Sequence, residues 1–269
     1  MRLREFQRTV DTILPPSSAM HGDAIGIQVE SALETVSRVL ICLEITDSVV
    51  TEAKQGGFDT ILTFHPLIYK PLAQLHRTDR VGRCVAECIR SNISVLSVHT
   101  TFDTYPQGTN YLLAKALQLD AQRPLVSSEG PDGGMGLVAT CSLHFEELCK
   151  RVATVCGGPV RYTPPSENAV FTVAIVGGSG MSFFDDAVAS GADVFITADV
   201  KYHGFHAASG VIGLIDPGHF EMEQFVPAGL CSLLQPVMPQ LAFQTSNVAT
   251  NPVQYFVPNP LLTTITSHP

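Results

Sequence analysis

Four short polar clusters in this sequence contain side chains that bind metal ions or transfer protons, and each cluster directly follows an apolar run. The clusters are His65, His99 with Asp103, Asp199 with Lys201 and His203, and Asp216 with His219 and Glu223. Imidazole and carboxylate groups are ligands of divalent first-row transition metals. One histidine after a strand is more often a hydrogen-bonded structural residue, but four clusters at strand ends favour a shared site.

The pair His219 and Glu223 is the most informative of these local signals. If Gly218 precedes a helical turn, positions 219 and 223 are i and i+4 neighbours, and their side chains face the same way. An imidazole beside a carboxylate suits a divalent metal ion. A histidine at a helix start with a solvated glutamate explains this motif equally well.

An internal repeat places two of the clusters at equivalent positions. Residues 52–65 read EAKQGGFDTILTFH and residues 186–199 read DAVASGADVFITAD, with a constant offset of 134 that aligns His65 with Asp199. Each copy predicts the end of a helix, a glycine turn and a buried strand. Ligands of parallel α/β sheets bind beyond the carboxyl ends of the strands, so polar residues there are well placed for chemistry.

The alternation of apolar runs and helical patterns predicts an α/β protein with two similar lobes. Residues 1–125 are predicted to form the first α/β lobe, residues 126–168 a connecting segment, and residues 169–269 the second α/β lobe. The proline-rich tail from Pro252 is expected to be extended and to pack as an edge or partner-facing segment. The predicted strands cover residues 38–45, 58–64, 93–98, 170–176, 193–197 and 211–215, and the helices between them cover 47–57, 79–91, 109–119, 181–190 and 203–209.

Composition narrows the class of protein. The chain has 269 residues, of which 45% are hydrophobic and 15% charged, so it can bury a core and is not expected to be disordered. Its net charge of −9 argues against a nucleic-acid partner. No apolar stretch approaches the roughly 18 residues of a membrane span, and the start shows no secretory signal. Seven scattered cysteines indicate a reducing compartment, so we expect a cytoplasmic protein.

The GGSG turn at residues 177–180 has two readings. It could present backbone N–H groups to an anion, or it could be a tight strand-to-helix turn that needs small residues. It lacks the lysine of a Walker A loop and the third glycine of a dinucleotide fingerprint. No GxSxG motif is present, so covalent catalysis is not supported.

Five stretches, in this order, resemble the Nif-three-like family (NGG-one-interacting factor three), whose members are often described as type 2 GTP cyclohydrolase I homologues. They are GIQVE, TFHPLIYKPL, VHTTFDTYPQGTN, VAIVGGSGMSFFDDAVASGADVFITADVKYH and LIDPGHFEMEQF, within residues 20–230. The resemblance implies two similar, intertwined three-layer α/β/α lobes related by internal duplication, a ring-shaped homohexamer, and a dinuclear metal site between the lobes. The segment between the halves is too short for the extra domain that some relatives carry.

Carried over by position, the family's metal ligands fall on His65, Asp103, His219 and Glu223. The first histidine of the family's HHP motif is replaced by Phe64, which cannot bind a metal. We therefore hypothesise that one divalent ion (zinc, iron or manganese) is held firmly and a second weakly or not at all. His99 either compensates for the missing imidazole or orients a ligand. A smaller departure is Glu44, where the family commonly has aspartate.

Three functions remain open from the sequence. The first is a metal-dependent hydrolase acting on a phosphorylated or nucleotide-like small molecule, with water activated by the ion. In that scheme His99 or His203 orients ligands or shuttles protons, and Lys201 meets substrate charge. The second is a non-catalytic metal-binding or metal-delivery protein, and the third is a scaffold for regulatory proteins. A scaffold would keep its partner after alanine substitution of His219 and Glu223, whereas an enzyme would lose activity.

Overall fold

The computed structural model describes residues 1–127 and 133–256. Its strands are β1 (Gly26–Val29), β2 (Arg38–Cys42), β3 (Thr60–Thr63), β4 (Ser94–Ser97), β5 (Asp120–Arg123), β6 (Val126–Ser127), β7 (Gly134–Met135), β8 (Leu137–His144), β9 (Arg161–Thr163), β10 (Ala169–Ile175), β11 (Val194–Ile196), β12 (Gly213–Asp216) and β13 (Ala242–Thr245). Its helices are α1 (Leu3–Ile13), α2 (Asp47–Gln55), α3 (Arg80–Arg90), α4 (Thr100–Asp103), α5 (Thr109–Ala116), α6 (Phe145–Cys156), α7 (Phe184–Ala189), α8 (Tyr202–Ala208), α9 (His219–Glu223) and α10 (Val226–Leu234). Short 3₁₀ turns cover Pro16–Ser18 and Met181–Phe183.

Two mixed sheets form the centres of the two lobes. The first has the strand order β1-β4-β3-β2-β13, in which β1 is antiparallel and the other four strands are parallel. The second has the order β5-β8-β10-β11-β12-β9, with a parallel centre of β10, β11 and β12. Parallel strands are buried on both faces, which matches the uninterrupted apolar runs of the sequence. The chain is thus a mixed α/β protein.

Residues of the central strands alternate between two apolar clusters, one on each face of a sheet. In β2, Val39 and Ile41 pack with α1 and α10, whereas Leu40 and Cys42 pack with α2 and α3. The second sheet behaves in the same way, with α5 and α6 on one face and α7 and α8 on the other. The period of two along each strand and the helices on both faces build three layers in each lobe.

The internal repeat has a structural basis. The Asp59 carboxylate accepts hydrogen bonds from two backbone N–H groups at the start of β2. The Asp193 carboxylate does the same for two N–H groups of β10. Gly57 and Gly191, which end the preceding helices, have φ values of 65° and 78°, where glycine is favoured. The equivalent residues therefore join equivalent strand pairs in the two lobes.

The chain crosses between the lobes at its C-terminal end. After the second sheet is complete, α10 packs on the first sheet and β13 pairs in parallel with β2. The predicted connecting segment 126–168 contains β8, α6 and β9, and these two strands belong to the second sheet. The lobes are therefore intertwined.

The predicted helices and strands within the two halves are present, each within a few residues of its predicted ends. The N-cap of α2 is Thr46, whose side chain accepts a hydrogen bond from the Val49 N–H. Residues 128–132 and the tail beyond residue 256 lie outside the described residues. Across the ranges 1–127 and 133–256, no helix is long and apolar enough to cross a membrane.

Candidate metal centre

His65 lies just beyond β3 and is fixed there by backbone bonds. Its N–H donates to the Leu43 carbonyl at 2.9 Å, and its own carbonyl accepts from the Thr63 hydroxyl at 2.9 Å. Its Nδ1 atom lies 3.2 Å from the carboxylate of Glu44, which follows the neighbouring strand β2. The imidazole therefore turns its Nε2 atom towards the second lobe.

His219 and Glu223 reach the same point from the second lobe, on the short helix α9. Glu223 Oε2 lies 3.1 Å from His219 Nε2 and 3.2 Å from His65 Nε2. The two Nε2 atoms are 3.4 Å apart. The i, i+4 spacing predicted for this pair is therefore realised, and the group joins both lobes.

These three atoms fit a divalent transition metal. Zinc and similar ions hold nitrogen and oxygen ligands at about 2.0–2.2 Å, so neighbouring ligand atoms are separated by roughly 2.8–3.1 Å in octahedral and about 3.3–3.6 Å in tetrahedral geometry. The three separations in the cluster lie between these limits. Among the described residues, one group of three such side chains lies within 4.8 Å, and it is His65, His219 and Glu223. Two imidazoles and one carboxylate leave open positions for a ligand.

The side chains of His65, His219 and Glu223 pair with one another, and this pairing shifts their pKa values. Burial alone would lower the pKa of His65, but its pairing with Glu223 and Glu44 raises it to about 10. The pKa of His219 rises to about 9 in the same way, because pairing with Glu223 and Asp199 outweighs burial. Burial would raise the pKa of Glu223, yet the two imidazoles lower it to about 2. A metal ion would compete with protons for the same nitrogen atoms.

Each histidine near this point has a carboxylate on its Nδ1 atom. Glu44 holds His65, and Asp199 lies 2.7 Å from His219 Nδ1. Such a contact fixes the tautomer and directs Nε2 to the metal. Asp199 has φ of 56°, an uncommon conformation for a residue other than glycine. His65 and Asp199 are equivalent positions of the repeat. His65 is a candidate ligand in the first lobe, whereas Asp199 in the second lobe holds Nδ1 of the candidate ligand His219.

His99 follows the same pattern beside the cluster. Its Nδ1 atom lies 2.6 Å from Asp23, and its ring centre is 5.6 Å from that of His65. Its φ of 32° is again unusual. Asp23 was not among the residues predicted from the sequence, because it lies 76 positions from its partner.

Asp103 is partly buried near this group but lies outside the set of three. Its Oδ1 atom has no hydrogen-bond partner among the described residues. Burial and the charge of Glu223 raise the pKa of Asp103 to about 7. Its backbone carbonyl accepts from Asn110, whose side-chain oxygen accepts from Gly177 N–H in the second lobe. A role for Asp103 as a metal ligand stays a prediction.

Phe64 lies in the core of the first lobe and is completely buried. Its ring centre is 4.9 Å from that of His65 and 5.6 Å from that of His99. The side chain that replaces the family's histidine is thus next to both imidazoles, and it contributes packing rather than a ligand atom.

The GGSG turn needs glycine where the side chain of Glu223 approaches its backbone closely. Gly178 has φ of 62°, and a Cβ atom there would lie 2.5 Å from Glu223 Oε1. The N–H of Gly177 donates to Asn110, and that of Gly180 donates to the Thr197 hydroxyl at 2.8 Å. Because these donors are already used, the tight-turn reading fits better than an anion cradle.

A pocket of about 1370 Å³ between the lobes contains the cluster. Lys201 and His203, which sequence reasoning placed near substrate, are exposed at the start of α8 and do not line it. The basic residues that line it are Lys70, Arg80 and Arg161. Arg80 is bonded to Glu44 and Arg161 to the buried Asp216. The charged partners lie far apart in sequence, so no local motif indicated them.

Comparisons with known proteins agree with this architecture. The sequence matches the profile of the family Duf34/NIF3 (NGG1p interacting factor 3) over residues 1–252. A Streptomyces coelicolor protein named GTP cyclohydrolase 1 type 2 homolog is 34% identical over 232 residues, which is 82% of this chain and 81% of that relative. A Lactococcus lactis protein of the same name is 30% identical over 233 residues, which is 84% of this chain and 89% of that relative.

Solved structures show the same fold. The Staphylococcus aureus protein SA1388 superposes with a TM-score of 0.86 at 26% identity, over 95% of this chain and 99% of that protein. A Bacillus cereus protein related to NIF3 also has a TM-score of 0.86, at 22% identity and the same coverage. With the profile match over nearly the whole length, the chain belongs to the Duf34/NIF3 (NGG1p interacting factor 3) family.

Proposed function

We propose that this protein is a metal-dependent hydrolase with one firmly held divalent transition metal at His65, His219 and Glu223. The observation that carries the proposal is the mutual spacing of three ligand atoms in a pocket between the lobes. We further propose that the substrate is a phosphorylated or nucleotide-like small molecule. The names of the bacterial relatives, GTP cyclohydrolase 1 type 2 homolog, support this class of substrate.

The chemistry expected of the bound ion is to lower the pKa of a water to about 7, which supplies hydroxide at neutral pH. The residues of the chain have separate tasks around it. Glu44 and Asp199 keep the two ligand imidazoles in the required tautomer. Asp23 holds His99 by Nδ1, so His99 offers Nε2 to the pocket for proton transfer.

One observation favours a second candidate, a metal-handling protein without turnover. Seven carboxylate residues line the pocket, against three lysine or arginine residues and the two histidines His65 and His219, whose raised pKa keeps them protonated at neutral pH, so a small excess of negative charge remains. An excess of negative charge in a cleft attracts cations and repels free polyanions. Such a pocket would gather divalent ions even if no substrate followed. The two candidates share the ligand set and differ in whether hydrolysis occurs.

The test combines metal content with turnover. Wild-type protein, Glu223→Gln and a matched surface variant, Glu87→Gln, are purified without chelators, and metal per chain is measured by elemental mass spectrometry. Each is then assayed for hydrolysis of GTP and a panel of phosphorylated small molecules. The hydrolase proposal expects metal and turnover in wild type and Glu87→Gln, and loss of both in Glu223→Gln. Metal without turnover in wild type would favour metal handling, and metal retained in Glu223→Gln would contradict the ligand set.

A further inference from the structure

Residues 246–256, here called the strap, run from the first lobe to the second along the pocket. They follow β13 and have no regular secondary structure. Thr250, Asn251, Pro252, Val253 and Tyr255 all line the pocket that contains the metal-ligand cluster. The strap is thus one wall of the space that any ligand of the ion must enter.

The first end of the strap is bound to a helix of the first lobe. The Glu52 carboxylate on α2 accepts from the Asn247 backbone N–H at 2.9 Å and from its side-chain amide at 3.2 Å. The Ser246 hydroxyl donates to the same carboxylate. Three hydrogen bonds to one charged group hold this end firmly.

The other end is bound to the second lobe through Glu221, a nearly buried residue of α9. Its carboxylate accepts from the Asn251 side-chain amide at 2.8 Å. The Tyr255 hydroxyl lies close to the same carboxylate, since one Cβ position on Gly218 would be 2.9 Å from the hydroxyl and 2.3 Å from Glu221 Oε2. Burial and the charge of Glu221 raise the pKa of Tyr255. Glu221 lies between His219 and Glu223 on a five-residue helix. The strap is therefore fastened to the element that carries two of the three candidate ligands.

Gly218 makes room for the Tyr255 hydroxyl, because a Cβ atom at this position would lie 2.9 Å from it. Gly158 faces the Tyr255 ring, and a Cβ atom there would be 3.5 Å from the ring, an ordinary van der Waals distance. This fit is a property of the chain beyond the part that matches the family, because that match ends at residue 252.

The second end is held by little besides these polar contacts. Val253 is 55% exposed and Tyr255 46%, so little apolar surface keeps the strap in place. Segments with few buried apolar contacts open locally at a small fraction of the global unfolding free energy. The strap can therefore open at its Glu221 end while its Glu52 end stays attached.

We infer that the strap is a closure of the metal pocket, held by Asn251 and Tyr255 on Glu221, which admits small ligands and restricts bulky ones. This inference rests on the proposed function for the presence of the ion. It makes Asn251 and Tyr255 determinants of ligand size, although neither touches the ion's ligands. A bulky chelator then reaches the ion faster in the open form, and a small anion reaches it at the same rate in both forms.

The first test uses cobalt(II)-loaded protein and two probes of different size. Removal of cobalt by excess EDTA and binding of azide are followed by visible absorption in three proteins: wild type, the double variant Asn251→Ala/Tyr255→Phe, and the control Tyr202→Phe. Tyr202 is 71% exposed and lies outside the pocket. We expect the double variant to lose cobalt to EDTA about tenfold faster, because lost polar contacts with a carboxylate raise the open population. Azide binding and the control should match wild type.

An EDTA rate in the double variant equal to that of wild type, at equal cobalt content, would overturn the inference. So would an equal acceleration for EDTA and azide, because that result means a disturbed metal centre and not an opened pocket. Thermal unfolding of each protein establishes that the variants are folded before the rates are compared.

A second test is independent of the metal. The chain contains no tryptophan, so Val253→Trp introduces a single fluorescent reporter on the strap and leaves Asn251 and Tyr255 unchanged. Acrylamide quenching of this reporter should increase when Asn251→Ala is added, because the strap then opens more often. Identical quenching with and without Asn251→Ala would contradict the closure. If wild type binds no cobalt, the proposed function fails while this measurement still decides on the strap.

Discussion

Replacing Phe64 with histidine should add a second metal ion and make stability depend on metal. Phe64 is completely buried, and its ring is next to His65 and His99. An imidazole in its place loses apolar contact and buries polar nitrogens, which together cost about 2–4 kcal/mol of unfolding free energy without metal. For a chain of this size the melting temperature should then fall by roughly 5–15 °C. Metal at 1,000 times its dissociation constant would restore about 4 kcal/mol.

The assay measures metal per chain by elemental mass spectrometry and melting temperature with and without zinc. We expect one ion or fewer in wild type, and up to one more in Phe64→His, where the buried Asp103 oxygen without a partner can join the new imidazole. Phe6→His is the matched control, because Phe6 is equally buried in the same core but lies on α1. It should lose stability without gaining metal. Equal metal content in wild type and Phe64→His would refute the reasoning.

Three further predictions concern the same centre. Glu44→Gln should weaken metal binding about 10–100-fold with little loss of stability, because it removes the negative charge beside Nδ1 of His65. Competition with a chromogenic chelator measures this affinity. Gly178→Ala should lower metal content, because its Cβ atom would lie 2.5 Å from Glu223. Gly191 has a similar positive φ but open space around it, so Gly191→Ala should lower stability and leave metal content unchanged. Measuring the metal content of both variants checks this. Metal binding should release protons and strengthen as pH rises from 6 to 9. The pKa values of His65 and His219 are raised to about 10 and 9, so protons occupy these nitrogens at neutral pH and compete with the metal. Calorimetry in buffers of different ionisation enthalpy counts the released protons, and an affinity independent of pH would contradict the prediction.

The sequence predicted those parts of the fold that local pattern determines. Apolar runs bounded by glycine predicted the central strands. The repeat at offset 134 predicted two equivalent strand pairs, and in each pair an aspartate, Asp59 or Asp193, accepts from backbone N–H groups of the neighbouring strand. The pairing of β13 with β2 joins residues about 200 positions apart, and no local pattern encodes it. The same limit applies to β8 and β9, whose place in the second sheet depends on long-range partners.

The sequence predicted the candidate metal ligands, but it did not indicate some of the residues that hold the site's side chains in place. His65, His219 and Glu223 were found because family motifs and an i, i+4 spacing mark them, and the structure brings them together. Asp23 and Arg161 were missed because each acts on a residue more than 50 positions away. Lys201 and His203 were chosen for their sequence proximity to Asp199, but the helix they begin turns away from the pocket. Assembly into a homohexamer stays a prediction.

Position 64, where the family resemblance implies histidine and this chain has phenylalanine, lies between the core and the candidate metal centre. Phe64 belongs to the same apolar cluster as Leu62 and Phe102 and does not line the pocket, whereas the next residue, His65, does. Successive residues at a strand end face opposite ways, so position 64 adjoins the core while position 65 adjoins the ion. Full burial of a phenylalanine contributes about 1.5–3 kcal/mol relative to exposure. Phenylalanine at position 64 therefore adds apolar packing to the first lobe and offers no ligand atom to the candidate metal centre.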